Sequence, residues 1–131
     1  MCSRSKMPRR SQPAVLVVED EVIERMAAVE GLEIAGYEAV DVCSAADAVC
    51  ALENLDTIRV VITDIDLRGR LDGIVLAACI DRRWPKVGII MTSGKVEPVP
   101  GDVPSGACFL RKPYARARML AAVRGIIAQH A

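Results

Sequence analysis

The chain has 131 residues, the size of a single domain with one hydrophobic core. Apolar residues make up 52% of the sequence and aromatic residues only 3%, so the core is expected to be aliphatic. Lys and Arg together number 17, as do Asp and Glu, and this zero net charge argues against a nucleic-acid-binding domain, which needs a basic excess.

Residues 1–13 are predicted to form a flexible basic tail, because they are polar, contain four basic residues and no acid, and lack periodicity. The apolar run that follows stops at Glu19 and is too short for a signal peptide or a membrane span. The five cysteines show no metal-binding spacing and are interpreted as small buried hydrophobic residues in a reducing compartment. We therefore expect a cytoplasmic protein with neither nucleic acid nor membrane as a partner.

From residue 14 onward, short apolar runs alternate with helical periodicity. Strands are predicted at residues 14–18, 37–43, 58–63, 87–91 and 107–110. Helices are predicted at residues 21–35, 44–55, 72–83 and 116–128. Ser44 is the expected N-cap of the second helix, with Asp47 three residues on, and Gly36 and Pro85 are expected to end the first and third helices.

The apolar side chains of the helices predict which faces meet the core. In the first helix they are Val22, Met26, Val29 and Leu32; in the third, Ile74, Val75, Ala78 and Cys79; in the last, Met119, Leu120, Val123, Ile126 and Ile127. Between the fourth and fifth strands, Pro98, Pro100 and Pro104 predict that any helix there is short or irregular.

Strands that alternate with helices predict an α/β fold, a doubly wound five-stranded parallel sheet with helices on both faces. In such sheets, ligand sites form beyond the carboxyl ends of the strands, where the strand order reverses. The polar residues expected at those ends are Glu19, Asp20, Asp64, Asp66, Thr92, Ser93, Arg111 and Lys112. Carboxylates from two strands, a hydroxyl from a third and a lysine from a fourth are thus expected to converge.

Two carboxylates about 4 Å apart repel by about 4 kcal/mol at an effective dielectric constant of 20, so such a cluster needs a cation. Ligands that are all oxygen favour Mg²⁺, for which Mn²⁺ can substitute. A carboxylate can also act as a nucleophile toward a phosphoryl group. Lys112 would neutralise the acids at rest and later pair with the phosphate, and Ser93 would hydrogen-bond a phosphoryl oxygen. The pattern therefore predicts a Mg²⁺ site beside a phosphoryl acceptor.

Four motifs, "VLVVEDE", "VVITDIDLRGRLDG", "IIMTSGK" and "FLRKPY", resemble those of receiver domains of two-component response regulators, in the same order and at similar spacing from residue 14 to the end. The resemblance implies the flavodoxin-like receiver fold and roles for individual residues. Asp64 would be the phosphoacceptor, and Glu19 and Asp20 the acidic pair that holds Mg²⁺. The backbone carbonyl of Asp66 would also bind the metal, while its side chain is equally compatible with simple exposure to solvent.

The resemblance further implies that Ser93 is the switch hydroxyl and that Lys112 is the lysine that pairs with phosphate, followed by Pro113 in a cis peptide. Phe109 matches the aromatic switch position, and packing in the core is the alternative for that side chain. The implied partners are a histidine kinase or phosphotransfer protein and a downstream protein target. Because the chain ends after the last helix, no output domain is expected.

The sequence departs from the family pattern next to the site. Arg68 stands where Pro is usual, and the loop before Asp72-Gly73 is one residue longer.

Two alternative functions stay open. The first is a phosphohydrolase with Asp64 as nucleophile, since "VVITDID" also resembles the first motif of the haloacid dehalogenase superfamily. The second is a degenerate receiver that binds partners without phosphorylation. The first leaves Glu19 and Asp20 unexplained, and the complete acidic set argues against the second.

Overall fold

The structure is a computed structural model and describes residues 13–67, 72–94 and 98–129. The tail at residues 1–12, Arg68, and the inserted part of the loop before Asp72 lie outside these ranges. The described residues form five strands: β1 (Ala14–Val18), β2 (Glu38–Val42), β3 (Ile58–Asp64), β4 (Gly88–Ser93) and β5 (Cys108–Arg111). They also form four α-helices: α1 (Val22–Ile34), α2 (Ala45–Asn54), α3 (Gly73–Arg83) and α4 (Arg116–Gln129).

All strand pairs are parallel, and the sheet order is β2-β1-β3-β4-β5. The chain moves outward from β1 to β2 and then crosses to β3 on the other side of β1. The strand order therefore reverses between β1 and β3, where a site is expected. This arrangement confirms the predicted five-stranded doubly wound sheet.

Two hydrophobic layers sandwich the sheet. Alternate residues of β1 point to opposite faces, so that Val15 and Val17 pack with α1 and α4, whereas Leu16 and Val18 pack with α2 and α3. These β1 side chains are at most 2% exposed, as expected for a central strand covered on both faces.

Several local predictions are confirmed. The Ser44 hydroxyl caps α2 by accepting a hydrogen bond from the Asp47 amide at 3.1 Å. Gly36 follows α1 with a positive φ of 94°, which favours glycine. The Lys112–Pro113 peptide is cis. Between β4 and β5, residues 98–107 contain one 3-10 turn at Pro100–Asp102, in line with the short or irregular helix predicted there.

The predicted core faces of α1 and α3 are wrong in part. On α1, Leu32 is buried as predicted, but Val22 and Met26 are more than half exposed, and Ala28 and Gly31 are buried in their place. On α3 the buried side chains are Leu76, Ala77 and Ile80, one position away from the predicted set. Apolar residues occur on several sides of both helices, and residues 74–80 of α3 are all apolar, so periodicity alone did not single out their inner faces. In α4, Met119, Val123 and Ile126 are buried as predicted.

The interpretation of the cysteines as buried is also wrong for two of them. Cys43, which directly follows β2, and Cys50 on α2 are exposed, while Cys79 and Cys108 are partly buried. Short apolar stretches surround Cys43 and Cys50 in the sequence, but these two positions lie on outward-facing sides of their elements. Among the described residues, no helix combines the length and apolar character needed to cross a membrane.

Candidate functional site

Three carboxylates meet where the strand order reverses. Asp64 is the last residue of β3, and Glu19 and Asp20 directly follow β1. Each of the three places one carboxylate oxygen within 4.8 Å of the others. Glu19 and Asp64 are only 6% and 7% exposed. The predicted acidic set is therefore assembled, with two of its members largely removed from water.

Lys112 neutralises part of this charge. Its Nζ donates to Glu19 Oε1 at 2.8 Å and to Asp64 Oδ2 at 3.1 Å, and it also contacts Glu24 Oε1. Lys112 follows β5, two strands away from β3 in the sheet, and its side chain reaches across the carboxyl ends of the strands. The lysine and the acids are thus brought together as the sequence predicts.

Burial and neighbouring charges shift the ionisation of two groups in the site. Burial raises the pKa of the Glu19 carboxyl above its ordinary value, although hydrogen bonds from Lys112 and the Glu21 amide lower it in part. Burial alone would lower the pKa of the Lys112 ammonium, but the hydrogen bonds to Glu19 and Glu24 and the charge of Asp64 outweigh that effect and raise it. Lys112 is therefore permanently charged at neutral pH.

Ser93 and Asp66 lie on the other side of Asp64. The Ser93 hydroxyl is buried and donates to Asp66 Oδ2 at 3.3 Å. The Asp66 amide donates to Asp64 Oδ1 at 3.1 Å, while the Asp66 residue itself is exposed. Ser93 closes β4 as a strand residue, paired with Arg111, instead of following the strand as predicted. The polar character of Thr92 and Ser93 hid the end of the strand, where Thr92 pairs with both neighbouring strands and Ser93 pairs with β5.

Phe109 lies in β5 and is partly buried against the core layer that contains Met91, Leu76 and Ile65. It is therefore packed, but not fully enclosed. This position is compatible with core packing and with a side chain that can move, so its switch role stays a prediction.

The backbone at Asp64 is held in place by close contacts that the sequence analysis did not identify. The amide of Ile65 donates to the Thr92 carbonyl at 2.8 Å, and the amide of Gly73 donates to the Ile65 carbonyl at 3.1 Å. A Cβ at Gly73 would lie only 2.0 Å from the Asp64 carbonyl oxygen. Only glycine lets the first residue of α3 approach so closely, and Asp72 caps the helix beside it.

Two charged residues of α1 were also missed. Glu24 is a third carboxylate on Lys112, and Arg25 donates to the Glu19 backbone carbonyl at 2.9 Å and to Asp41 Oδ2 at 3.1 Å. A usable signal existed, because the first turn of a helix that follows β1 directly must lie at the same sheet edge as Glu19.

The donor chemistry fits a hard cation. The three converging groups are all carboxylates, which are the ligands that Mg²⁺ prefers, and Asp20 is partly exposed, so that water can complete a coordination shell from that side. The described part of the chain brings no histidine or cysteine into this group. An acidic pocket that can hold a divalent cation thus stands beside a lysine and a hydroxyl.

Comparison with known proteins agrees with this geometry. The family model for the response regulator receiver domain matches residues 15–124. The chain belongs to this family. Receiver domains of two-component signalling bind Mg²⁺ at such an acidic pocket and interact with histidine kinases and downstream targets.

Individual relatives support the assignment. The receiver domain is 31% identical over 120 residues to the C4-dicarboxylate transport transcriptional regulatory protein DctD of Rhizobium meliloti, and 29% identical over 119 residues to the sensor kinase CckA of Brucella abortus. The aligned region covers 86% of this chain in both cases, but only 25% of DctD and 12% of CckA, so this chain corresponds to one part of each relative. A response regulator receiver protein from Sinorhizobium medicae superimposes with a TM-score of 0.86 at 25% identity, over 92% of this chain and 98% of that one.

The family assignment bears on the phosphohydrolase alternative. The matched region begins in β1 and includes Glu19 and Asp20, which that alternative left unexplained. The side chain that would have to act as its acid or base, Asp66, is exposed and accepts a hydrogen bond from Ser93. The receiver interpretation accounts for all of these residues together.

Proposed function

We propose that this receiver domain takes up a phosphoryl group on Asp64, from a histidine kinase or a phosphotransfer protein, and signals through contacts with a downstream protein. The observation that carries the proposal is the position of Asp64. Its two carboxylate oxygens are shared between Lys112 on one side and the Asp66 amide on the other, beside two further carboxylates.

Mg²⁺ would be held by Glu19, Asp20 and Asp64 together with the backbone carbonyl of Asp66, and Mn²⁺ can replace it. When bound, the cation neutralises negative charge that the carboxylates and the phosphoryl group would otherwise bring together. Removing charge repulsion matters here because Glu19 and Asp64 are shielded from water by the fold.

The chain's own residues then have separate roles in the transfer. A carboxylate oxygen of Asp64 attacks phosphorus, the bond from phosphorus to the donor imidazole breaks, and the imidazole leaves with the bonding electron pair, so that an acyl phosphate forms. Lys112, already within 3.1 Å of Asp64, pairs with the new phosphoryl oxygens. Ser93 leaves Asp66 and donates to another of these oxygens.

We assign the output surface to the segment from Ser93 to Lys112 together with the last helix, α4. The Lys112 amide donates to the Ser93 carbonyl at 2.9 Å, so both ends of the segment are coupled directly at the site. A phosphoryl group adds a charge of about −1.5 to −2 at the site. The helical structure described between β4 and β5 is a single 3-10 turn, so few helical hydrogen bonds oppose a rearrangement of this segment. Phe109, in β5, is the side chain expected to move with Ser93.

Hydrogen exchange tests this output surface. With the phosphoryl mimic beryllofluoride, protection should change in residues 93–112. Changes limited to α1 and α2 would contradict the assignment.

Labelling with a small phosphodonor such as acetyl phosphate tests the phosphoacceptor itself. Wild-type protein should be labelled in Mg²⁺ or Mn²⁺ and unlabelled in EDTA, and Asp64→Asn should abolish labelling. Asp81→Asn, the same change at an exposed position of α3, is the matched control and should label normally. Equal labelling of the Asp64 variant would refute the proposal, and steady turnover of a generic phosphate ester would favour the phosphohydrolase.

A further inference from the structure

Lys112 is shared by more carboxylates than the proposed phosphoryl transfer requires. Glu19 and Asp64 belong to the acidic pocket, but the third contact, Glu24, lies on α1 outside it. The Glu24 side chain is 50% exposed, whereas that of Lys112 is 17% exposed. The Glu24–Lys112 pair therefore sits at the mouth of the site, between the buried acids and solvent.

The start of α1 is fixed firmly enough to make this contact a defined feature. The Glu21 amide, at the N-cap of α1, donates to Glu19 Oε2 at 3.1 Å. Arg25, the neighbour of Glu24, donates to the Glu19 carbonyl and to Asp41. These bonds tie the first turn of the helix to the end of β1, and Glu24 is carried by that turn.

The ammonium of Lys112 has three N–H donors and three carboxylate partners. When Asp64 becomes an acyl phosphate, its own contact with Lys112 turns into a contact with the phosphoryl group, which presents several oxygens. For Lys112 to direct a second N–H at the phosphoryl group, it must give up its hydrogen bond to Glu19 or to Glu24. Glu19 is buried, so water cannot readily replace a lost hydrogen bond from Lys112 to its Oε1, while Glu24 can turn into water.

We infer that Glu24 is a competing counterion: it holds Lys112 in the unphosphorylated state, must release it when the phosphoryl group arrives, and so lowers the affinity of the site for that group. Glu24 acts only through Lys112 and is a positioning residue. The inference rests on the proposed function, because it presupposes a phosphoryl group on Asp64.

Binding of beryllofluoride at saturating Mg²⁺ is the direct test, measured by titration with NMR detection. Glu24→Gln keeps the size of the side chain and removes its charge, and it should tighten binding roughly two- to fivefold, the range expected for one partly exposed ion pair. Because the pair is near solvent, the gain should shrink as salt is added. Glu33→Gln makes the same change at another exposed position of α1 and should bind as wild type does.

A shorter acid separates the contact from the general field of the charge. Glu24→Asp keeps the charge but draws the carboxylate back by one methylene, so it should resemble Glu24→Gln if direct contact with Lys112 matters. Wild-type affinity in Glu24→Asp, or unchanged or weaker binding in Glu24→Gln, would overturn the role of Glu24 alone. Failure of the wild-type protein to bind beryllofluoride would overturn the proposed function as well.

Discussion

Gly73→Ala is expected to damage the fold and the site together, since the added methyl group has no room. Its Cβ would lie 2.0 Å from the Asp64 carbonyl oxygen and 2.7 Å from Ile65 Cα, and both are backbone atoms. Ordinary contact begins near 3.4 Å, so α3 and the end of β3 must separate by roughly 1.4 Å, the difference between 3.4 and 2.0 Å.

The cost of that separation has two parts. The hydrogen bond from the Gly73 amide to the Ile65 carbonyl is lengthened or lost, which costs about 1 kcal/mol. Overpacking against a rigid backbone costs about 1–3 kcal/mol. The free energy of unfolding, measured by urea denaturation, should therefore fall by about 3 kcal/mol. The rate at which Asp64 is labelled should fall too, since its carbonyl is the atom displaced.

Gly125→Ala provides the control, because Gly125 lies inside α4 and a Cβ there meets nothing within 4 Å. This variant should be more stable than wild type by up to about 1 kcal/mol, the difference in helix propensity between the two residues. The reasoning about Gly73 would be refuted if both alanine variants had stabilities within about 1 kcal/mol of wild type and both labelled normally.

Three further results are expected. In EDTA, Glu19→Gln should be more stable than wild type at pH 7. Burial raises the pKa of Glu19, so the contribution of its protonated form to folding stability is fully present below about pH 4.5 and is lost as the pH rises through the raised pKa. Urea denaturation at several pH values would show this, and a less stable variant would contradict it. Asp66→Ala should slow loss of phosphate from Asp64 roughly two- to tenfold, because Ser93 loses its hydrogen bond to Asp66 Oδ2, and labelling should be retained; an unchanged decay rate would leave Asp66 as a simple solvent-exposed side chain. Mg²⁺ should leave the fluorescence of Trp84 unaltered. Trp84 lies beside Ile58 at the opposite end of β3, roughly 20 Å from Asp64. A clear Mg²⁺-dependent fluorescence change would place the metal elsewhere.

The sequence was informative about the fold because the strands of a parallel sheet are buried on both faces and appear as continuous apolar runs. Parallel strands also bring their carboxyl ends to one edge, so the residues after those runs could be grouped without knowledge of the structure. The convergence of Glu19, Asp20 and Asp64 with Lys112 follows from that topology. The roles proposed for these residues came from the family resemblance.

Contacts that depend on close approach could not be predicted. The need for glycine at position 73 arises from where α3 begins relative to the Asp64 backbone, which periodicity does not encode. Glu24 reaches Lys112 only because hydrogen bonds fix the first turn of α1. The inner faces of α1 and α3 were misplaced because both helices carry apolar residues on several sides, some of them exposed, such as Met26 and Val75.

The central claim is that Asp64 carries the phosphoryl group, and the most direct test is to identify the modified residue. Protein treated with acetyl phosphate and Mg²⁺ can be reduced with borohydride, which converts an aspartyl phosphate to homoserine, and then mapped by peptide mass spectrometry. We expect homoserine at position 64, dependent on Mg²⁺ and absent when the phosphodonor is left out. Modification at another carboxylate, or an unmodified Asp64 in protein that has taken up phosphate, would contradict the claim.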